Sequence, residues 1–248
     1  MLMLLGLIAG LVAGSFVAAL TVRWPQGRSI VHGRSACDAC GKTLGPLELV
    51  PVISFVALRG RCRHCGAAIA GRNLAIEVAG GVIGAAAMLA QPGISGVFGA
   101  VFGWWLLTLA VLDAEHFWLP DSLTISLIGT GILAGSWAAP ELLMRLAGAV
   151  TGYLVLAVIA QLYKSLRGHA GMGGGDPKLL AAIGAWLGPW LLAPVMAAAA
   201  MLGLVLVGVD ALRGRPVTAT TRVPFGALLA GAAWVMWLVK PLWEGLLP

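Results

Sequence analysis

Two aspartates stand where an apolar helix would meet water. Asp113 closes the run VFGWWLLTLAVLD, and Asp176 opens another in GMGGGDPKLL. A carboxylate at a bilayer edge is expensive and usually serves chemistry. Two carboxyls that face each other share a proton, so one activates water as a base while the other donates to a carbonyl oxygen. That is the chemistry of an aspartyl protease, placed here at a membrane surface. The local surroundings sharpen the choice. Asp176 precedes Pro177, which reads as the N-cap and first position of a helix. Gly173, Gly174 and Gly175 before it give more freedom than a cap requires and would let a substrate backbone come close. Asp113 is expected to end a helix, where the negative end of the dipole makes a carboxylate a poor structural choice. Asp121 follows Pro120 and is explained as a simple N-cap. Glu115 and His116 read as a solvated loop, and His116 is near enough in sequence to tune an active acid. The stretch GMGGGDPK does not fit a phosphate-binding loop, because Asp-Pro-Lys stands where Gly-Lys-Ser/Thr is needed.

All four cysteines fall in one segment, as Cys37-x-x-Cys40 and Cys62-x-x-Cys65. A two-residue gap lets both thiolates of a pair reach one tetrahedral ion, and Gly41 and Gly66 relieve the tight turn after each pair. The spacing is that of a four-thiolate zinc site. Four sulfurs close the coordination sphere, so such a zinc is structural and leaves no position for a catalytic water. Two disulfides or a redox pair are the competing reading, and stable disulfides are disfavoured if the segment faces a reducing cytoplasm. His64, inside the second pair, reads as a solvated residue of a basic loop.

These groups must be positioned mainly by lipid-soluble elements. The 248 residues are 60% hydrophobic and 10% charged, the balance of an all-α polytopic membrane protein. Membrane lipid is therefore its main surroundings. Its formal charge of +6 does not point to nucleic acid, since the basic residues cluster in short loops between apolar runs. Eight spans are expected near 2–22, 75–91, 96–112, 122–139, 146–163, 178–190, 191–209 and 223–240, with the sixth short, and re-entrant or tilted. With the N-terminus outside the cytoplasm, every Lys and Arg except Arg145 and Lys240 falls on the inner side, as positive-inside topology demands. The first span has no basic residue before it and reads as uncleaved. Both Asp113 and Asp176 then lie at the cytoplasmic face. The domains expected are a first helix (1–22), a small cytoplasmic zinc-binding segment (23–74), too small for a core of its own, and a helical peptidase domain (75–248). The sequence presents no internal repeat.

Together these motifs resemble the type IV prepilin peptidases, GxGD aspartyl proteases of pilus and type II secretion systems. Gly14-Ser15-Phe16 with Arg23 and Pro25 is similar to the family's first-helix exit. The paired cysteines resemble its cytoplasmic domain, and LDAEHFWLPDSLT its first catalytic motif. Gly173-Gly174-Gly175-Asp176 fits the GxGD signature, and VPFGALLAG its last helix. The resemblance implies that Asp113 and Asp176 are the catalytic pair, and that Cys37, Cys40, Cys62 and Cys65 hold structural zinc. It makes Gly173, Gly175 and Glu77 candidates for binding substrate. It implies prepilin or pseudopilin substrates with a basic leader ending in glycine before an apolar N-terminal helix. They would be cut at the cytoplasmic face of the bacterial inner membrane, and the new N-terminus methylated from S-adenosylmethionine. Ala18 stands where the family usually has asparagine, and Asn73-Leu74 where it usually has Tyr-Pro before the acid matched by Glu77. The competing functions are a peptidase without methyl transfer, a zinc-knuckle membrane scaffold, and a transporter relaying protons through its two acids.

Overall fold

The computed structural model describes residues 1–29, 34–37, 39–133, 141–168, 171–215, 218 and 222–243. Among them the regular structure is helical: α1 (Leu2–Arg23), the short α2 (Ile53–Ala57), α3 (Gly71–Ala90), α4 (Ile94–His116), α5 (Asp121–Leu133), α6 (Leu142–Arg167), α7 (Gly175–Leu187), α8 (Leu192–Leu212) and α9 (Phe225–Trp243). No strand occurs among the described residues, only two isolated bridges, Ala36 with Thr43 and Arg61 with Ala68. Six of the helices are long and apolar enough to cross a membrane: α1, α3, α4, α6, α8 and α9. The chain is a multi-pass helical membrane protein. Two compact units divide it, Met1–Trp104 and Trp105–Pro248.

In the first unit α1 packs antiparallel on α3 through glycines. A Cβ at Gly10 would stand 2.1 Å from the Gly80 carbonyl oxygen, and one at Gly84 would stand 2.1 Å from that of Gly6. Lipid tails are as apolar as leucine, so helices in a bilayer associate by close backbone contact, which only small residues allow. Trp104 Nε1 donates to the Gly80 carbonyl at 2.9 Å and closes the same seam.

The second unit repeats the device. Gly148 of α6 meets the Gly184 carbonyl of α7 at 2.2 Å from its would-be Cβ, and Gly152 meets that of Leu180 at 2.4 Å. The neighbours in conflict are backbone atoms, which cannot swing aside. Gly184→Val is therefore expected to cost about 3 kcal/mol or more, read as a lower unfolding temperature in detergent.

The expected span at 178–190 is α7, only 13 residues long. Helices of that length reach about 20 Å, short of the hydrocarbon thickness of about 30 Å. Its residues from Leu179 to Leu187 are all buried, because α5, α6 and α9 surround it. A helix apolar on every side belongs inside protein, so α7 is the core of its unit. The expected span at 122–139 is likewise short, 13 residues as α5; the end of that expected span, 134–139, lies outside the described residues. Arg145 of α6 is 6% exposed and donates to the carbonyls of Gly131 and Ile132. A cation at these last carbonyls complements the negative end of the α5 dipole. Trp186, fully buried on α7, donates to the Leu127 carbonyl at 3.0 Å and ties α7 to α5.

Candidate functional site

Asp113 does not end its helix. It sits in the last turn of α4, where its carbonyl accepts the Phe117 N–H at 2.9 Å and Phe117 enters the left-handed region at φ 50°. Glu115 and His116 consequently belong to that final turn and not to a loop; both are exposed, 4.0 Å apart. The Asp113 side chain is 6% exposed, and its Oδ2 accepts the Ala227 N–H at 2.8 Å. Ala227 is in the first turn of α9, where backbone amides lack intrahelical partners and the dipole is positive. Asp113 therefore faces two helix ends of opposite sign, its own and that of α9.

Asp176 also corrects a local expectation. The residue before α7 is Gly174, and no side chain caps the helix. Asp176 stands inside the first turn as its second residue, with its N–H 3.4 Å from the Gly173 carbonyl. Gly174 already holds helical angles, φ −68° and ψ −9°, so the helix starts ahead of the aspartate. The carboxyl is left for tertiary use: it is 6% exposed and interacts electrostatically with Asp113. Two acids from separate helices are thus brought into one buried pocket of charge within the second unit.

Leu119, Gly226 and Ala227 complete this arrangement, and the sequence reading passed over all three. A Cβ on Gly175 would stand 2.6 Å from Leu119 Cβ. One on Gly226 would stand 2.8 Å from Leu119 Cδ1 and 3.0 Å from Asp113 Oδ2. Leu119 thus uses the bare backbone of both helix starts to lie beside the acids. The signal available was Val223-Pro224-Phe225-Gly226, a proline-marked helix start. Gly173 keeps an open side, with Asp176 Oδ2 at 3.5 Å from its would-be Cβ. Asp121 opens α5, and its Oδ1 accepts from Lys178 Nζ at 2.6 Å, joining the starts of α5 and α7. That pair is too exposed to contribute more than about 1 kcal/mol.

In the first unit the four cysteine sulfurs lie within 4.8 Å of one another, with Cys37 and Cys65 Sγ 3.9 Å apart. Sulfurs about 2.3 Å from a tetrahedral zinc are about 3.8 Å from each other, so the donor set fits such an ion. The fold repeats itself to build it. Cys37 N–H donates to Lys42 and Gly41 N–H to Cys37; likewise Cys62 N–H donates to Ala67 and Gly66 N–H to Cys62. Gly41 and Gly66 hold φ near +70°, which glycine adopts without strain. Leu44 N–H to Ser35 and Ile69 N–H to Gly60 close the two copies. This is an internal repeat that the sequence alone did not reveal. Backbone N–H groups of Cys65 and His64 at the Cys62 sulfur pull its thiol down. His64 Nε2 lies 3.6 Å from Glu48 Oε1. Glu77, in α3, accepts the Val52 N–H at 2.8 Å through Oε2.

Comparison with known proteins places both units. Residues 8–91 match the model of the bacterial peptidase A24 N-terminal domain, and residues 100–208 that of the type IV leader peptidase family. A prepilin leader peptidase/N-methyltransferase of Burkholderia pseudomallei (strain 1026b) is 44% identical over 214 residues, covering 84% of this chain and 69% of that protein. The protein of the same name from Dichelobacter nodosus is 39% identical, covering 82% and 70%. That from Stutzerimonas stutzeri is 34% identical, covering 94% and 89%. No solved structure matches the chain. The chain belongs to the type IV prepilin leader peptidase family and is an enzyme.

Proposed function

We propose that the protein removes the basic leader of type IV prepilins or type II secretion pseudopilins and then N-methylates the exposed terminus from S-adenosylmethionine. The observation that carries this reading is the pair of buried, interacting carboxyls, Asp113 and Asp176. One carboxylate takes a proton from water as the water oxygen attacks the scissile carbonyl. The other, protonated, gives its proton to the carbonyl oxygen. Collapse of the tetrahedral intermediate breaks the C–N bond, and the leaving nitrogen takes a proton back. Gly173 offers its open backbone to the substrate strand. In the second reaction the new amine attacks the methyl carbon, the C–S electron pair stays on sulfur, and the amine releases a proton.

The zinc ligands in this reading are Cys37, Cys40, Cys62 and Cys65, and the ion supplies only a scaffold for the segment 23–74, which serves methyl transfer; proteolysis belongs to 75–248. The protein lies in the bacterial inner membrane with its N-terminus outside and the two aspartates at the cytoplasmic face. The clustered cysteines favour the bifunctional reading over a peptidase alone. Incubating purified enzyme with a prepilin and S-adenosylmethionine should give a product whose mass reports cleavage and one further methyl group. A scaffold or proton transporter leaves the prepilin intact. Cys62→Ser should lose bound zinc, measured by metal analysis, and lower methyl transfer before it lowers cleavage. Wild-type protein folded under reducing conditions without zinc would overturn the metal assignment.

A further inference from the structure

The backbone that leads to Asp176 has little of its own to hold it in place. Met172-Gly173-Gly174-Gly175 carries one side chain in four residues. The Asp176 N–H reaches the Gly173 carbonyl at 3.4 Å, a long bond. A Cβ built on Gly174 would meet no atom within 4 Å, and one on Gly173 would meet only the Asp176 carboxyl, at 3.5 Å. Both glycines are exposed. A run so thinly packed samples many shapes unless its two ends are fixed. One end is fixed in α7, where Gly175 lies against Leu119 and both Asp176 and Pro177 are buried.

A ring fixes the other end. Tyr163 stands near the close of α6 and is 38% exposed. A Cβ built on Gly171 would stand 2.6 Å from Tyr163 Cδ1 and 2.9 Å from Cζ, with Cε1 nearer than either. Three adjacent ring carbons at such similar distances place Gly171 over the face of the ring and not beyond its edge. A side chain fits at 171 only if the ring swings away. The ring is also carried by the right helix. Because α6 is locked to α7 through Gly148 and Gly152, Tyr163 and Asp176 share one frame.

We propose that Tyr163 is a positioning residue for substrate. Its ring clamps Gly171 and so holds the open backbone at Gly173 and Gly174 where the prepilin strand lies beside the two acids. The assignment rests on the peptidase reading above and names what keeps its binding segment in place. The clamp acts on binding and not on the reacting bond. Asp113 is held by the Ala227 amide and Asp176 by the buried start of α7, so neither acid depends on the ring. Without the ring, substrate must itself order the segment, which weakens the bound ground state and the transition state alike.

The test measures KM and kcat for prepilin cleavage by the full-length enzyme in detergent, with the unfolding temperature of each variant. Tyr163→Ala should raise KM about tenfold and change kcat by less than about threefold. Tyr163→Phe keeps the ring and should keep the wild-type KM. Gly171→Ala, whose methyl displaces the ring, should also raise KM. Added to Tyr163→Ala it should do little more, because the ring it would meet is gone. Tyr163→Leu, which is apolar but has no flat face, should raise KM as well and decides the matter if Tyr163→Ala unfolds. A residue serving the fold alone would lower the unfolding temperature or the amount of active enzyme, and so kcat, and leave KM where it was. Tyr163→Phe with the raised KM of Tyr163→Ala would assign the effect to the hydroxyl and overturn the clamp. A wild-type KM in Tyr163→Ala, or an equal effect of Gly171→Ala with and without the ring, would overturn it too. Each of those results, beside a wild-type enzyme that cuts prepilin, leaves the proposed function standing. A wild-type enzyme that leaves prepilin intact overturns the peptidase reading, and the clamp with it.

Discussion

Asp113→Asn and Asp176→Asn should each abolish prepilin cleavage, by about 10⁴-fold, the upper range for removing a general acid or base. Each substitution keeps the size and one acceptor oxygen, so the Ala227 amide can still be satisfied at position 113. What is lost is the exchange of one proton between two carboxyls. Asp121→Asn is the control with a physical reason behind it. Its bond to Lys178 is exposed, and an amide oxygen still accepts from the ammonium, so the expected change is less than about fivefold. Rates are read from the fraction of leader removed, by mass spectrometry. An active Asp113→Asn beside an inactive Asp121→Asn would refute the assignment of the pair.

Much of this site was legible in one dimension, and the exceptions share a cause. Apolar runs mark the helices well, since each expected span corresponds to a helix of the fold. Their lengths do not reveal which helix is lipid-facing and which is enclosed. Only α5, α6 and α9 packed around α7 make a 13-residue helix stable where it could not span. Abundant glycine signals close packing, but Gly10 has meaning only opposite Gly80, and Gly148 only opposite Gly184. The cysteine pairs announce by spacing alone that four sulfurs come together. The matching hydrogen bonds of the two knuckles stay hidden because Asp38-Ala39 and Arg63-His64 share no chemistry.

The electrostatics of Asp113 fail in the same way. Read along the chain, Asp113 has only the C-terminal end of its own helix. In three dimensions the N-terminus of α9 supplies an N–H at 2.8 Å, so Asp113 meets a helix start as well as the end of its own helix. The end of its own helix alone therefore does not decide which acid holds the proton. Infrared difference spectra of the two Asn variants assign the shared proton directly, since the residue whose loss removes the protonated-carboxyl band is the acid.

Gly226→Ala should cost about 100-fold in cleavage while leaving the protein folded. Gly226 adopts a backbone conformation open to any residue, because its φ is not positive. Strain in the chain is therefore not the source of the effect. The added methyl would sit 3.0 Å from Asp113 Oδ2 and 2.8 Å from Leu119 Cδ1. Leucine can rotate away, but the methyl would meet the same Asp113 oxygen that the neighbouring Ala227 amide holds at 2.8 Å, so the carboxylate must shift relative to Asp176. A displacement of about 1 Å in a catalytic constellation costs about 10²-fold. Leu119→Ala in the same chain gives the methyl room from one side and should recover part of the rate. The readout is cleavage rate beside the unfolding temperature and bound zinc. A Gly226→Ala enzyme that cleaves at the wild-type rate would show that the α9 start does not position Asp113. A loss of rate accompanied by unfolding would place Gly226 in the fold alone, and the recovery by Leu119→Ala would then be absent.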